Sequence, residues 1–254
     1  MPFTFSHPAL IVPLLHARRH YKWLSATGLI IGSMAPDAEK FLRLKLASQH
    51  SHTISSIFYF SCPVSLGLAF VFHMLVRRPI IEHLPAPLYR RLSKYTSFNW
   101  PDYCYQHIRG IMLSIVIGAA LHLFWDSFTH YNTFVTSAVP ETADIVRLGN
   151  KAMPLWQLVA LMSSVAGGLI IGYSVWKMPV SLAGHIPSAS ALYRYWGIVI
   201  LVAISLETVW ILAVHPRLLN IGISSISAAI LGVLVASIYV SWRNKGSQVD
   251  FIKT

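Results

Sequence analysis

His122, Asp126 and His130 recur at every fourth position near the end of an apolar run that begins at Ile111. On a helix, at about 100° per residue, the three fall within an arc of about 80°. A carboxylate in such a run is costly unless it is paired, protonated or bound to a cation. Ionisable groups inside apolar spans therefore mark functional sites by default. Two imidazoles on the same stripe point to a cation. Elsewhere His7 precedes Pro8, Asp37 follows Pro36, and His50 and His52 flank Ser51. Together these side chains offer nitrogen and carboxylate oxygen without sulfur. Imidazole suits zinc, the first expectation here, and iron(II); carboxylates extend the choice of divalent ion to manganese. The set exceeds the roughly four ligands of one zinc site, which leaves room for two ions. In a catalytic version of such a site, a metal-bound water loses its proton near neutral pH and attacks an ester or phosphodiester. Asp126 or Asp37 would then act as general base or orient a ligating imidazole.

Each residue also has a plainer structural reading. His7 would cap a helix and Asp37 would be a turn acid. His50 and His52 would sit at the interface with Ser51 as a cap. His122 and Asp126 would form a buried hydrogen-bonded pair, and His130 would close a span. Glu207, within an apolar run, is a further candidate to join the site or pair with a tyrosine. His73, His83, His107, His185 and His215 are dispersed and read as loop or interface residues. His16 and His20 go with neighbouring arginines. No GxSxG, phosphate-loop or kinase signature occurs.

The elements that must position these groups are set by composition. The 254 residues are 55% hydrophobic and only 11% charged, with mean hydropathy +0.56. Soluble domains carry about 25% charged residues, so an integral membrane protein is expected. Its partner is the lipid bilayer. The net charge of +11 fits cytoplasmic loops and anionic lipid. Arg77-Arg78 and Arg90-Arg91 lack the aromatic interleaving of a nucleic-acid patch, so no nucleic acid is expected. Cys62 and Cys104 form no CxxC, which argues against thiolate metal sites and a disulfide framework. No signal peptide is legible at the start. No oligomeric state is implied.

Five runs reach the length of about 20 residues that a span requires: 54–76, 111–130, 154–177, 195–214 and 218–242. The expected fold is all-α, a polytopic transmembrane helical bundle with an N-terminal helical hairpin. The hairpin pairs Pro8–His20 with Trp23–Ala35 and turns at 18–22; whether it spans the membrane or dips into it is open. A basic loop covers 77–110, and 178–193, with Pro179, Gly184 and Pro187, is a second loop. The chain reads as a single membrane domain over 1–254, with its motifs in 1–140 and three further transmembrane helices in 141–254. Counting crossings brings His7, Asp37, His50, His52, His122, Asp126 and His130 to one membrane face. The opposite side carries 14 of the 20 Lys and Arg if the hairpin crosses and 11 if it only dips, so the positive-inside rule turns the His/Asp face outward.

Pro2-Phe3-Thr4-Phe5-Ser6-His7-Pro8, Gly32-Ser33-Met34-Ala35-Pro36-Asp37, Ser51-His52-Thr53 and the stretch from His122 to His130 resemble a bacterial membrane-protein family. It is the one catalogued as domain of unknown function 4184. The resemblance covers most of 1–140 and implies a multi-pass protein of the bacterial cytoplasmic (inner) membrane. More distantly, the early His, the Pro-Asp turn, the Ser-His and the His-x3-Asp are similar to membrane-bound metal-dependent hydrolases. They also resemble the zinc phospholipase C and single-strand nuclease group. Here the last spacing is Asp-x3-His and no later His-x3-Glu follows, so a complete trinuclear zinc site is not implied. The resulting expectation is a metal-dependent hydrolase using His7, Asp37, His52, His122, Asp126 and His130, with Asp126 and Asp37 catalytic. Its substrate would be a lipid or other phosphoester at the outer face. The alternatives are a transporter or metal-binding protein using the same groups, and a scaffold with a satisfied polar cluster.

Overall fold

The computed structural model describes residues 2–181 and 186–252. The chain enters through a 3-10 turn at Thr4–Ile11. Pro8 lies inside it and has no N–H to donate, which interrupts any α-helical ladder there. Helix α1 (Val12–Ala17) follows, then α2 (Ala26–Gly32), a second 3-10 turn at Ala35–Asp37, and α3 (Ala38–Arg43). The expected helices Pro8–His20 and Trp23–Ala35 are thus shorter and broken. Proline causes both departures, with Pro8 in the first turn and Pro36 opening the second.

Among the described residues, five helices are long and apolar enough to cross a membrane, as the hydropathy pattern requires. The first, α4 (Ile57–Glu82), contains two π-helical turns at Ile57–Ser61 and Phe72–Val76. After α5 (Ala86–Leu92) comes α6 (Trp100–Thr129), broken at His107 (φ −124°, ψ 20°). The expected 77–110 loop is therefore largely helical. Its polar residues do not stop a helix outside the apolar run, and Asn99-Trp100-Pro101-Asp102 supplies proline and an acid in a first turn. Short helix α7 (Phe134–Ala138) precedes a small antiparallel hairpin of β1 (Ile145–Leu148) and β2 (Lys151–Pro154). Its two-residue turn uses Gly149 at φ +58°. The Leu-Gly-Asn-Lys turn signal went unread in the sequence.

Helix α8 (Leu155–Trp176) is the third apolar span. Helix α9 (Ala189–Val214) starts earlier than the expected 195, because the Ser188 hydroxyl caps it by accepting from Ala191 N. Of the loop expected before it, Gly184 lies outside the described residues. Helix α10 (Leu218–Ile252) completes the bundle.

The chain divides into two compact units. One combines Met1–Ala38, Gln49–Gly67 and Tyr103–Lys177. In it the second arm of the N-terminal hairpin lies along α6. The Gly110 Cα faces Trp23 O, Gly28 and Gly32 meet the α6 backbone at Ile111 and Ile115, and Gly118 meets Leu29 and Ser33. A Cβ on Gly28 would stand 2.7 Å from Ile111 O, closer than real side chains come. Backbones approach this closely only where residues are small. From Gly110 to Asp126, roughly 24 Å at 1.5 Å per residue, the arm accompanies the whole apolar run of α6. None of its own helices is long enough to cross a bilayer alone. Ile11, Leu24 and Leu29 form the core between the arms, with Leu14, Leu15, Ile117 and Leu121 around it.

One bond ties the arm's entry: Ser25 N donates to Ser114 Oγ at 2.8 Å, both residues being buried. Ser114→Ala leaves that N–H unpaired. It is expected to cost about 1 kcal/mol in thermal unfolding of the detergent-solubilised protein.

The other unit combines Glu39–Ser48, Leu68–Asp102 and Met178–Thr254. In it α9 and α10 form the tight hairpin expected from the short 215–217 link, and His215 closes α9 at φ 49°. Tyr195, Val199 and Ala236 make its core, and Gly232 admits the Val199 backbone.

Candidate metal centre

The break after α2 supplies the first elements of the site. Because the helix ends at Gly32, the Ser33 carbonyl is free to accept from His122 Nδ1 at 2.8 Å. A carbonyl only accepts, so Nδ1 carries a hydrogen and Nε2 is the nitrogen left facing inward. The Ala35–Asp37 turn then delivers Asp37 to the same place. One of its oxygens, Oδ2, accepts from Thr4 Oγ1 at 2.5 Å, and Oδ1 faces the centre. His52 enters from the segment preceding α4, its Nδ1 set 2.9 Å from Ser51 Oγ. Asp126, one turn beyond His122 on α6, turns Oδ1 to His7 Nε2 at 3.2 Å and leaves Oδ2 inward.

One inward atom from each of Asp37, His52, His122 and Asp126 lies within 4.8 Å of the others, and the four could hold a metal ion. His52 Nε2 stands 3.3 Å from Asp37 Oδ1 and 3.4 Å from Asp126 Oδ2; His122 Nε2 stands 3.6 Å and 3.3 Å from the same atoms. A tetrahedron with metal–ligand bonds of about 2.0–2.1 Å has edges of about 3.3–3.4 Å. His52 Nε2, His122 Nε2 and Asp126 Oδ2 are buried and make no hydrogen bond. Three such atoms aimed at one point are costly to bury unless something positive sits between them.

The remaining candidates surround this set. His7 is buried in the first 3-10 turn, with Nδ1 3.2 Å from Thr4 O and its ring stacked on His122 at 3.9 Å between centroids. It grips Asp126 from outside the four. His130 occupies the rim, with Nδ1 3.1 Å from Asp126 O and 3.6 Å from Asp126 Oδ1. His50 is exposed and outside the four; its carbonyl accepts from the Tyr59 hydroxyl. Side-chain exposure rises from 0% at Asp37 and His122 to 7% at Asp126, 17% at His52 and 28% at His130. Access is therefore from the His52–Asp126–His130 side.

Glu207 pairs with Ser224, whose hydroxyl donates at 2.8 Å, and with no tyrosine. Of the histidines expected in loops or at the interface, His73 lies within a helix and His83 in the turn that closes it. His73 lies in α4, stacked on Trp100 at 4.4 Å, and buried His83 ends that helix, stacked on Tyr195 at 4.7 Å. Their apolar surroundings hid aromatic stacking that spacing does not report. His107 marks the break in α6, and His185 lies outside the described residues. Sequence reasoning gave no role to Thr4 or Ser33 and offered Ser51 only as a cap, whereas the three orient Asp37, His122 and His52. Only Ser51, adjacent to His52, carried a signal in spacing; Thr4 and Ser33 act across 33 and 89 positions, Ser33 through its carbonyl.

Fold and site together define a polytopic α-helical membrane protein with a buried His/Asp cluster able to hold a metal ion. The chain belongs to the family described as Domain of unknown function (DUF4184), which matches residues 1–238. Comparison with curated proteins and with solved structures gives no significant match.

Proposed function

We propose that this protein is a zinc-dependent hydrolase cleaving a lipid or lipid-linked phosphoester at the outer face of the bacterial cytoplasmic membrane. The observation that carries the reading is three inward atoms without hydrogen bonds, His52 Nε2 and His122 Nε2 at 3.4 and 3.3 Å from Asp126 Oδ2, gathered with an Asp37 oxygen and reachable from one side. A bound zinc ion would supply an acidified water and polarise a phosphoryl oxygen. In this reading Asp37, His52 and His122 would hold the ion. Asp126 would serve as a further ligand or as general base, because it stands on the accessible side and His7 keeps one of its oxygens fixed. His130, at the rim, is the remaining candidate ligand or the group that meets substrate. The charge asymmetry turns this face outward. The position of His122–His130 at the end of an apolar run sets the site at headgroup depth, which favours a lipid phosphoester.

The test is turnover of a short-chain fluorogenic phospholipid by detergent-purified protein. Activity lost on chelation and regained with zinc supports the reading. A metal-loaded protein that turns over neither that substrate nor other phosphoesters overturns it. A second reading, a non-enzymatic metal-binding or transport protein, is favoured by one observation. Four protein ligands already complete the tetrahedron of a closed structural site. Metal-dependent flux in vesicles without hydrolysis would select it.

His7 orients a ligand in this reading and does not itself bind the ion. His7→Ala is therefore expected to weaken metal binding by about 10–100-fold without abolishing it. Competition against a chelator of known affinity measures this, and an unchanged affinity removes His7 from the site.

A further inference from the structure

A second site of opposite character lies within the unit that holds α9 and α10. A cavity of about 300 Å³ is lined by His83, Ala191, Arg194, Tyr239, Arg243 and Asn244, along with Val240. It adjoins a smaller one, of about 240 Å³, that shares His83 and Ala191 with it. Two arginines from different helices, Arg194 and Arg243, line the first cavity, and among the described residues no carboxylate lines it. The acid of the second cavity, Glu82, accepts from Arg78 Nε at 2.7 Å. Like charges brought together over low-dielectric walls make a cavity that favours an anion, and arginine forks match phosphate oxygens in geometry.

The walls are held by hydrogen bonds and ring stacking between helices. Tyr195, fully buried, stacks on His83 and shares a 2.9 Å hydrogen bond with Ser237. Trp196 Nε1 donates to His83 O at 2.8 Å. His83 Nδ1, 2.7 Å from Pro79 O, is tied back to its own helix. Three helices are thereby fixed around the opening.

Its depth identifies the ligand class. Arg194 stands near the start of α9 and Arg243 near the end of the apolar part of α10. Tyr193, Tyr239 and Trp242 are exposed beside them, the arrangement of an aromatic belt at headgroup level. Basic pockets between transmembrane helices on the cytoplasmic side bind anionic lipid head groups. The charge count makes this end cytoplasmic. We propose that the cavity bounded by Arg194, Arg243 and Asn244 binds the phosphate of an anionic phospholipid, independently of the His/Asp cluster.

Native mass spectrometry of the detergent-solubilised full chain, titrated with phosphatidylglycerol, phosphatidylcholine or inorganic phosphate, tests this. Phosphatidylglycerol is expected to bind more tightly than phosphatidylcholine. Binding should weaken by about 5-fold for Arg194→Ala or Arg243→Ala and by about 30-fold for both together. Ala191→Leu keeps both charges and fills the cavity, so it serves if the double variant fails to fold; it too should lose the lipid. Arg90→Ala, equally basic and outside the cavity, should change nothing. Equal binding of the two lipids, or retention by Ala191→Leu, overturns the proposal. So does displacement of the lipid by inorganic phosphate at comparable concentration, which would assign the cavity to free phosphate.

Discussion

His122→Ala is expected to strip the protein of metal. The imidazole is fully buried, and its two nitrogens do different work: Nδ1 ties α6 to the end of α2 through Ser33 O, and Nε2 is one of four inward atoms. Alanine removes both. Metal content after purification in chelator-free buffer should fall from about one ion per chain, the occupancy of a single four-ligand site, to background. The loss should exceed the roughly 10–100-fold expected for an orienting neighbour. The orphaned Ser33 carbonyl adds a stability cost of about 1–3 kcal/mol. His130→Ala is the matched control, since His130 stands at the rim outside the four, and it should keep its ion. Metal-free wild-type protein, or His122→Ala with undiminished metal, would sink the metal-site reading.

Gly118→Val should be the most damaging single change among the packing positions. A Cβ at residue 118 would stand 2.5 Å from Leu29 O and 2.7 Å from Ser33 N, and neither backbone atom can swing aside. The arm must move away from α6, taking with it Ser33 and Asp37. Overpacking of this kind costs about 1–3 kcal/mol in ordinary cores. The upper end is expected here because the clash is with backbone. Thermal unfolding in detergent should drop accordingly, and metal binding should fall with it because Asp37 no longer meets His122. Gly168→Val, where an added Cβ meets open space, should leave both unchanged. Equal Tm values for the two variants would show that the close approach is not needed.

The five spans were legible because a bilayer demands about 20 apolar residues in a row, and 11% charge leaves few other readings. The stripe His122–Asp126 was legible for the same reason, since ionisable groups stand out against apolar neighbours. The N-terminal arms were only half legible. Their hydrophobicity announced a hairpin, whereas the breaks at Pro8 and Pro36 turned two helices into four short pieces. The polar start of α6 escaped notice because hydropathy reports where a membrane ends and says nothing of where a helix does. The β1–β2 turn is carried by local backbone preferences of a few residues, a weaker signal than either.

By itself the sequence determined the class of protein, the number of apolar spans and which ionisable residues were worth pursuing. Apolar length and charge scarcity are properties of composition, and they need no fold to express them. The tertiary structure alone decided how these residues divide. Asp37, His52, His122 and Asp126 meet at one point, His7 and His130 stand around them, and His50 stays outside. That division depends on ring orientations set by Thr4, Ser33 and Ser51, and on an approach between backbones that four glycines permit. Contacts between residues about 30 to 120 positions apart leave no trace in spacing along the chain.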